Sequence, residues 1–320
     1  MSAAFKDLFT QMISGDMPDE EIAQHLQALE DKGISETELS IGAQTLRDKM
    51  IPVKAPAGAI DIVGTGGDGL STYNISTACS FVMAGAGVPV AKHGNRAVSS
   101  KSGASDVLQS LGVKLDIDAR TTETCLQQAY IAFLFAPNHH KAMGNVAAAR
   151  ALLGTRTIFN LLGPLCNPAG VEHILVGVYA DELRPLYAKA LLALGTKRAL
   201  VVHGGDGMDE ITTTAPTMIS ELKDGEITEY EITPEQFGLK RASLEDLKGG
   251  DAVVNAQAIL DLFQGHLGPY RDIVLLNSAA ALYAAGKAES IEDGIDLARI
   301  SIESGNAMAA LELLARFSNG

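Results

Sequence analysis

Cysteine is scarce in this 320-residue chain: Cys79, Cys125 and Cys166 stand alone, an odd number in apolar surroundings with no CxxC pair. That argues against a disulfide framework or a thiolate zinc site and leaves three small buried hydrophobes. Long apolar runs are missing too. The longest candidate, Phe81 to Ala91, is broken by Gly85, Gly87 and Pro89, and falls short of the ~18 residues a membrane span needs. The opening Met1-Ser2-Ala3-Ala4-Phe5-Lys6-Asp7 has no apolar core of signal-peptide length, so a cytoplasmic protein is expected. Positive charge is in short supply, with 25 Lys and Arg against 39 Asp and Glu and a net charge of −14. Such a balance argues against a non-specific nucleic-acid binder. With 47% apolar residues and no low-complexity tract, the chain reads as globular, with room for one large or two modest domains.

One absence is local. From Gly69 through Ser105 there is no Asp or Glu, where even spacing would place about four or five. Lys92, Arg96 and Lys101 lie inside that gap, with His93. An acidic protein that clears one segment of carboxylates has prepared a seat for a polyanion.

The first fifty residues carry helical patterns. Phe5, Leu8, Phe9, Met12 and Ile13 form one stripe; Ile22, Leu26 and Leu29 follow Pro18 and three acids until Gly33. A Ser35/Glu38 capping box precedes Leu39, Ala43, Leu46 and Met50. A linker, Pro52 to Gly58, comes next. Short strands are then expected at Ile60–Val63, from Val88, and at Ile131–Phe135, Leu175–Tyr179 and Ala199–Val202, with helical stretches between most of them. A β-hairpin is expected over Thr217–Ile232 around Asp224-Gly225. The expected fold class is α/β: a small all-helical domain plus a larger α/β domain with a mainly parallel sheet.

Gly64-Thr65-Gly66-Gly67-Asp68-Gly69 leaves the first strand and satisfies GxGxxG. A dinucleotide fold would want an acid about 20 residues on; that region is Ala84-Gly85-Ala86-Gly87-Val88-Pro89, so nicotinamide binding is rejected. What survives is anion binding by glycine N–H groups ahead of a helix, with Thr72, Asn74, Ser76 and Thr77 close behind. Lys92-His93-Gly94-Asn95-Arg96-Ala97-Val98-Ser99-Ser100 leaves the second strand as another loop suited to phosphate and ribose oxygens. Asp209-Glu210, after the fifth strand, offers two carboxylates to Mg²⁺, a cation that keeps waters and shares phosphate oxygens. His139 and His140 are expected at a pocket edge or surface, Arg150 as a cation on an apolar helix, and Phe159 to Pro168 as a wall or hinge.

With these residues in view, the sequence closely resembles the anthranilate phosphoribosyltransferase family. The match rests on Gly64 to Asp68, Asn74 to Thr77, Lys92 to Ser100, Phe159 to Pro168 and Asp209-Glu210, in family order along essentially the whole chain. The resemblance implies transfer of phosphoribosyl from phosphoribosyl pyrophosphate to anthranilate, in tryptophan biosynthesis, by a Mg²⁺-dependent homodimer. It implies a discontinuous helical domain, 1–58 joined by about 155–175, with an α/β domain over 59–320. Gly64, Gly67, Asp68, Thr72, Asn74, Ile75, Ser76, Thr77 and Lys92 through Ser100 resemble the phosphoribosyl pyrophosphate contacts. Ala104 stands where many relatives carry Ser, without that hydroxyl. Gly64, Asn95 and Arg150 resemble anthranilate contacts, and Ser76, Asp209 and Glu210 resemble Mg²⁺ ligands. No residue is expected to act as a strong general base. Two rivals remain, a pyrimidine nucleoside phosphorylase of similar architecture and a non-catalytic nucleic-acid-binding relative.

Overall fold

The computed structural model describes residues 2–95 and 102–320; Arg96, Ala97, Val98, Ser99 and Ser100 lie outside the described residues. Three helices come first: α1 (Ser2–Met12), α2 (Asp19–Lys32) and α3 (Glu36–Arg47). The Ser35/Glu38 capping box forms as the spacing predicts, and Gly33 closes α2 at φ 84°. The rest runs β1 (Ile60–Gly64), α4 (Ile75–Gly85), β2 (Val90–Gly94), α5 (Ala104–Ser110), α6 (Ala119–Gln128), β3 (Ile131–Phe135), α7 (Ala136–His139), α8 (Ala147–Leu153), α9 (Ile158–Leu162), β4 (His173–Gly177), α10 (Leu183–Ala193) and β5 (Arg198–Gly204). Then come β6 (Thr217–Lys223), β7 (Glu226–Ile232), α11 (Ala252–Phe263), α12 (Pro269–Ala284), α13 (Ile291–Glu303) and α14 (Asn306–Asn319).

The sheet has seven strands in the order β3-β2-β1-β4-β5-β6-β7, with β1 to β5 parallel and the β6–β7 hairpin antiparallel. The expected mainly parallel α/β fold is therefore observed. Strand alternation assigns each side chain to a layer. Leu175, Leu200 and Val202 enter one core with α4 and α11 to α14; Ile174, Val176, Val178, Ala199 and Val201 enter a second. That second core holds Phe5, Phe9, Met12, Ile22, Leu26, Leu39 and Leu46 of the first helices, together with Val146, Ile158, Phe159, Leu161, Leu162 and Leu165. The N-terminal helices thus share apolar packing with residues 146–166, with α10 and with one face of β4 and β5. Arg47 adds a polar tie, its Nε donating to the Leu165 carbonyl at 2.7 Å. Helix α4, largely apolar, is buried between the sheet and α12 and α14.

Strand β4 starts two residues earlier than the apolar run suggests, because His173 pairs with Ile60 and Arg198 at the start of the parallel ladder. All three cysteines are buried and unpaired. Among the described residues, no helix is long and apolar enough to cross a membrane.

Candidate active site

In a parallel sheet of this order, the chain leaves β1 and β4 toward opposite sides, which opens a crevice beyond their carboxyl ends. The glycine loop follows β1 into this crevice. Gly66, Gly67 and Gly69 have φ of 71°, 84° and 75°, a region that only glycine enters without strain. Thr65 anchors the loop to β4, its N–H donating to the Gly177 carbonyl (2.9 Å) and its hydroxyl accepting from the Tyr179 N–H (3.1 Å).

Asp209 and Glu210 enter the same crevice from the segment after β5. Asp209 Oδ2 accepts the Gly66 N–H at 2.6 Å, and Glu210 Oε1 accepts the Ser76 N–H at 3.2 Å, at the start of α4. Gly64 and Gly177 end their strands against Asp209, so closely that a Cβ on either would run into it. The acid-free segment thus receives carboxylates from elsewhere in the chain. Asp68 also faces Asp209 within hydrogen-bonding reach.

The electrostatics of this cluster are unbalanced. Burial holds the Asp209 carboxyl well above the usual range, and the Asp68 and Glu210 charges push the same way. Burial pushes Glu210 up to about 7, against the pull of Lys92 and of hydrogen bonds from Ser76. Lys92 is buried, and its Nζ donates to the Ile62 carbonyl at 2.7 Å. One ammonium here opposes several carboxylates. Among the described residues no three His, Cys, Asp or Glu side chains could hold a metal by themselves.

The other candidates surround this centre unevenly. Ile75 is buried, so it presents only backbone here, and the buried Thr77 hydroxyl has no partner among the described residues. Thr72 bridges to Lys248, and the Asn74 side chain accepts from Asn255 at 2.8 Å while its carbonyl accepts the Tyr270 hydroxyl at 3.2 Å. Gly94 lies against the Phe133 ring, where a Cβ would approach to 2.7 Å. Asn95 follows, exposed, and Ala104 opens α5 half-buried. Arg150, on α8, stands 5.7 Å over the Phe159 ring, half-buried.

His139 and His140 are not surface residues. Both are buried, His139 bonding the Ile51 carbonyl at 2.9 Å and the His140 ring tilted against that of His93, centroids 5.1 Å apart. Burial lowers His93 to about 3 and His140 to about 4, so both are neutral. Pro137 marks a break in the sequence there but not its depth. Arg156 was missed by sequence reasoning: its Nη2 donates to the Gly67 carbonyl at 2.5 Å, and its guanidinium lies 3.8 Å over Tyr179. Asp61 and Asn167 were missed as well. A polar residue alternating with Ile60 and Ile62 was the available signal for Asp61.

Residues 57–308 match the glycosyl transferase family, a/b domain. The anthranilate phosphoribosyltransferase of Parvibaculum lavamentivorans is 52% identical over 319 residues, covering 100% of this chain and 94% of the relative. The chain belongs to the anthranilate phosphoribosyltransferase family. The Azospirillum brasilense family member is 54% identical, covering 97% of this chain and 87% of that protein. Among solved structures, anthranilate phosphoribosyltransferase from Thermus thermophilus superposes with a TM-score of 0.95 at 40% identity, covering 100% and 96% of the two chains. The Saccharomyces cerevisiae anthranilate phosphoribosyltransferase in complex with PRPP and Mg gives 0.91 at 29%, covering 100% and 93%.

Proposed function

We propose that this chain joins the anthranilate nitrogen to C1 of phosphoribosyl pyrophosphate and releases pyrophosphate. The observation that carries the reading is the Asp209–Glu210 segment lodged between the ends of β1 and β4, facing a glycine loop and a lysine. Ser76, Asp209 and Glu210 would hold Mg²⁺, which when bound neutralises charge growing on the departing pyrophosphate. Gly64, Gly67 and Asp68, with Thr72 and Asn74 to Thr77, receive the phosphoribosyl pyrophosphate, joined by Lys92 through Ser100. Backbone N–H groups of the glycine loop and the Lys92 ammonium oppose the leaving charge. Arg150 faces the anthranilate carboxylate, with Gly64 and Asn95 beside the ring. Anthranilate's amine is a weak base that loses its proton only as the bond forms, so positioning and electrostatics carry the rate without a strong general base. We further propose that 1–58 and about 155–175 form one helical unit, that the enzyme pairs as a homodimer, and that it works in the cytoplasm.

The direct test follows the loss of anthranilate fluorescence on mixing with phosphoribosyl pyrophosphate and Mg²⁺; the chain contains no Trp to overlay the signal. Turnover is expected only with all three present. Phosphate-dependent nucleoside cleavage without anthranilate consumption would replace this reading.

Arg156 gives a narrower expectation. Arg156→Ala removes an exposed guanidinium from the glycine loop and leaves both apolar cores intact. The KM for phosphoribosyl pyrophosphate should rise about three- to tenfold, while stability shifts by no more than about 0.5 kcal/mol. Initial rates and a thermal melt check both halves.

A further inference from the structure

We propose that Asp61 is a positioning residue for phosphoribosyl transfer: a buried carboxylate that sets the end of β2 at His93 without touching substrate. The inference rests on the function proposed above. Asp61 has no exposed surface, and alternation along β1 turns it away from the core that takes Ile60 and Ile62. Its Oδ1 accepts the His93 N–H at 3.1 Å and its Oδ2 accepts the Asn167 amide at 2.7 Å. That same amide donates to the Ala91 carbonyl at 2.7 Å, while Asn167 Oδ1 accepts the Ala169 N–H at 2.8 Å. One carboxylate therefore ties β1, the end of β2 and the 167–169 turn together. The His93 ring adds a second tie, its Nδ1 lying 3.1 Å from the Gly163 carbonyl.

Lys92, the residue before His93, fixes its ammonium on the carbonyl of Ile62, the residue after Asp61. Burial disfavours the charge on Lys92, and Asp61 is the foremost group opposing that effect, ahead of Glu210. What an apolar side chain at position 61 could not supply is the pair of acceptors that holds His93 and Asn167. Asp61 reaches the phosphate seat through His93, and so acts at one remove.

The test is Asp61→Asn, which keeps shape and loses charge. Binding of phosphoribosyl pyrophosphate with Mg²⁺ is read by calorimetry and both KM values by initial rates. Affinity for phosphoribosyl pyrophosphate should fall at least about tenfold, while the KM for anthranilate stays within about threefold. If Asp61→Asn does not fold, Asn167→Ala leaves the charge, removes one tie, and should shift phosphoribosyl pyrophosphate affinity the same way by a smaller factor. Unchanged affinity in the folded variant, or an equal shift for both substrates with a reduced active fraction, overturns the inference. A wild-type enzyme that binds no phosphoribosyl pyrophosphate would sink the function itself, a separate result.

Discussion

With Glu210 replaced by Gln, magnesium-dependent transfer is expected to fall at least about a hundredfold, while the metal-free protein becomes more stable at alkaline pH. The activity loss follows from removing one of the few anionic oxygens available to the cation, an electrostatic contribution of about two to three orders of magnitude in comparable sites. The stability gain follows from the direction of the pKa shift. Glu210 is raised from 4.5 to about 7 in the fold, its carboxylate lying deep although the residue is only partly covered. The folded chain therefore holds this proton more tightly than the unfolded one. That advantage is complete below about 4.5 and is lost as pH rises through about 7. Gln stays neutral throughout, so the variant should match wild type near pH 5 and exceed it by on the order of 2 kcal/mol at pH 8. Initial rates and calorimetric melts between those pH values, without metal, decide both parts. Wild-type turnover in the variant, or a stability gap flat across the range, would refute the assignment.

Gly177→Ala is expected to be nearly as damaging although Gly177 carries no functional group. Its Cβ would collide with the Asp209 backbone carbonyl, which sits directly over the end of β4. Backbone cannot swing aside as a side chain can, so the Asp209–Glu210 segment must lift. The cost should be about 1 to 3 kcal/mol of stability, with at least about a tenfold loss in turnover as the carboxylates leave their places. Gly144→Ala is the control: a Cβ there meets nothing within 4 Å, and neither stability nor rate should change. Denaturation midpoints and specific activity compare the two. Equal behaviour would show that the approach at Gly177 does not matter.

Much of this was readable from residue order. Alternating apolar side chains marked the strands, Ser35 and Glu38 marked a helix start, and Asp224-Gly225 marked a hairpin, because each signal is local. The glycine loop and Asp209-Glu210 were readable as chemistry for the same reason. What brought them together was not local: a strand order that sets β1 beside β4 comes from packing across the whole sheet. Arg156 escaped notice because its partner is a backbone carbonyl at Gly67, which leaves no trace in side-chain pattern. Of the two places expected for His139 and His140, the surface was wrong, since a proline-led turn reads as exposed until the packing around it is known. Asp61 sat in plain view within an apolar strand, but its value depends on Asn167, more than a hundred residues away.

The hairpin that completes the sheet has a consequence for assembly. Among the described residues, strand β7 has no neighbour on its outer side, and it carries Glu226, Glu229 and Glu231 along seven residues. An unpaired strand is ordinarily an invitation to polymerise, and like charges along it withdraw the invitation. Two copies meeting rim to rim would oppose these acids in addition to their general negative charge. Self-association into endless ribbons along this rim is thereby opposed.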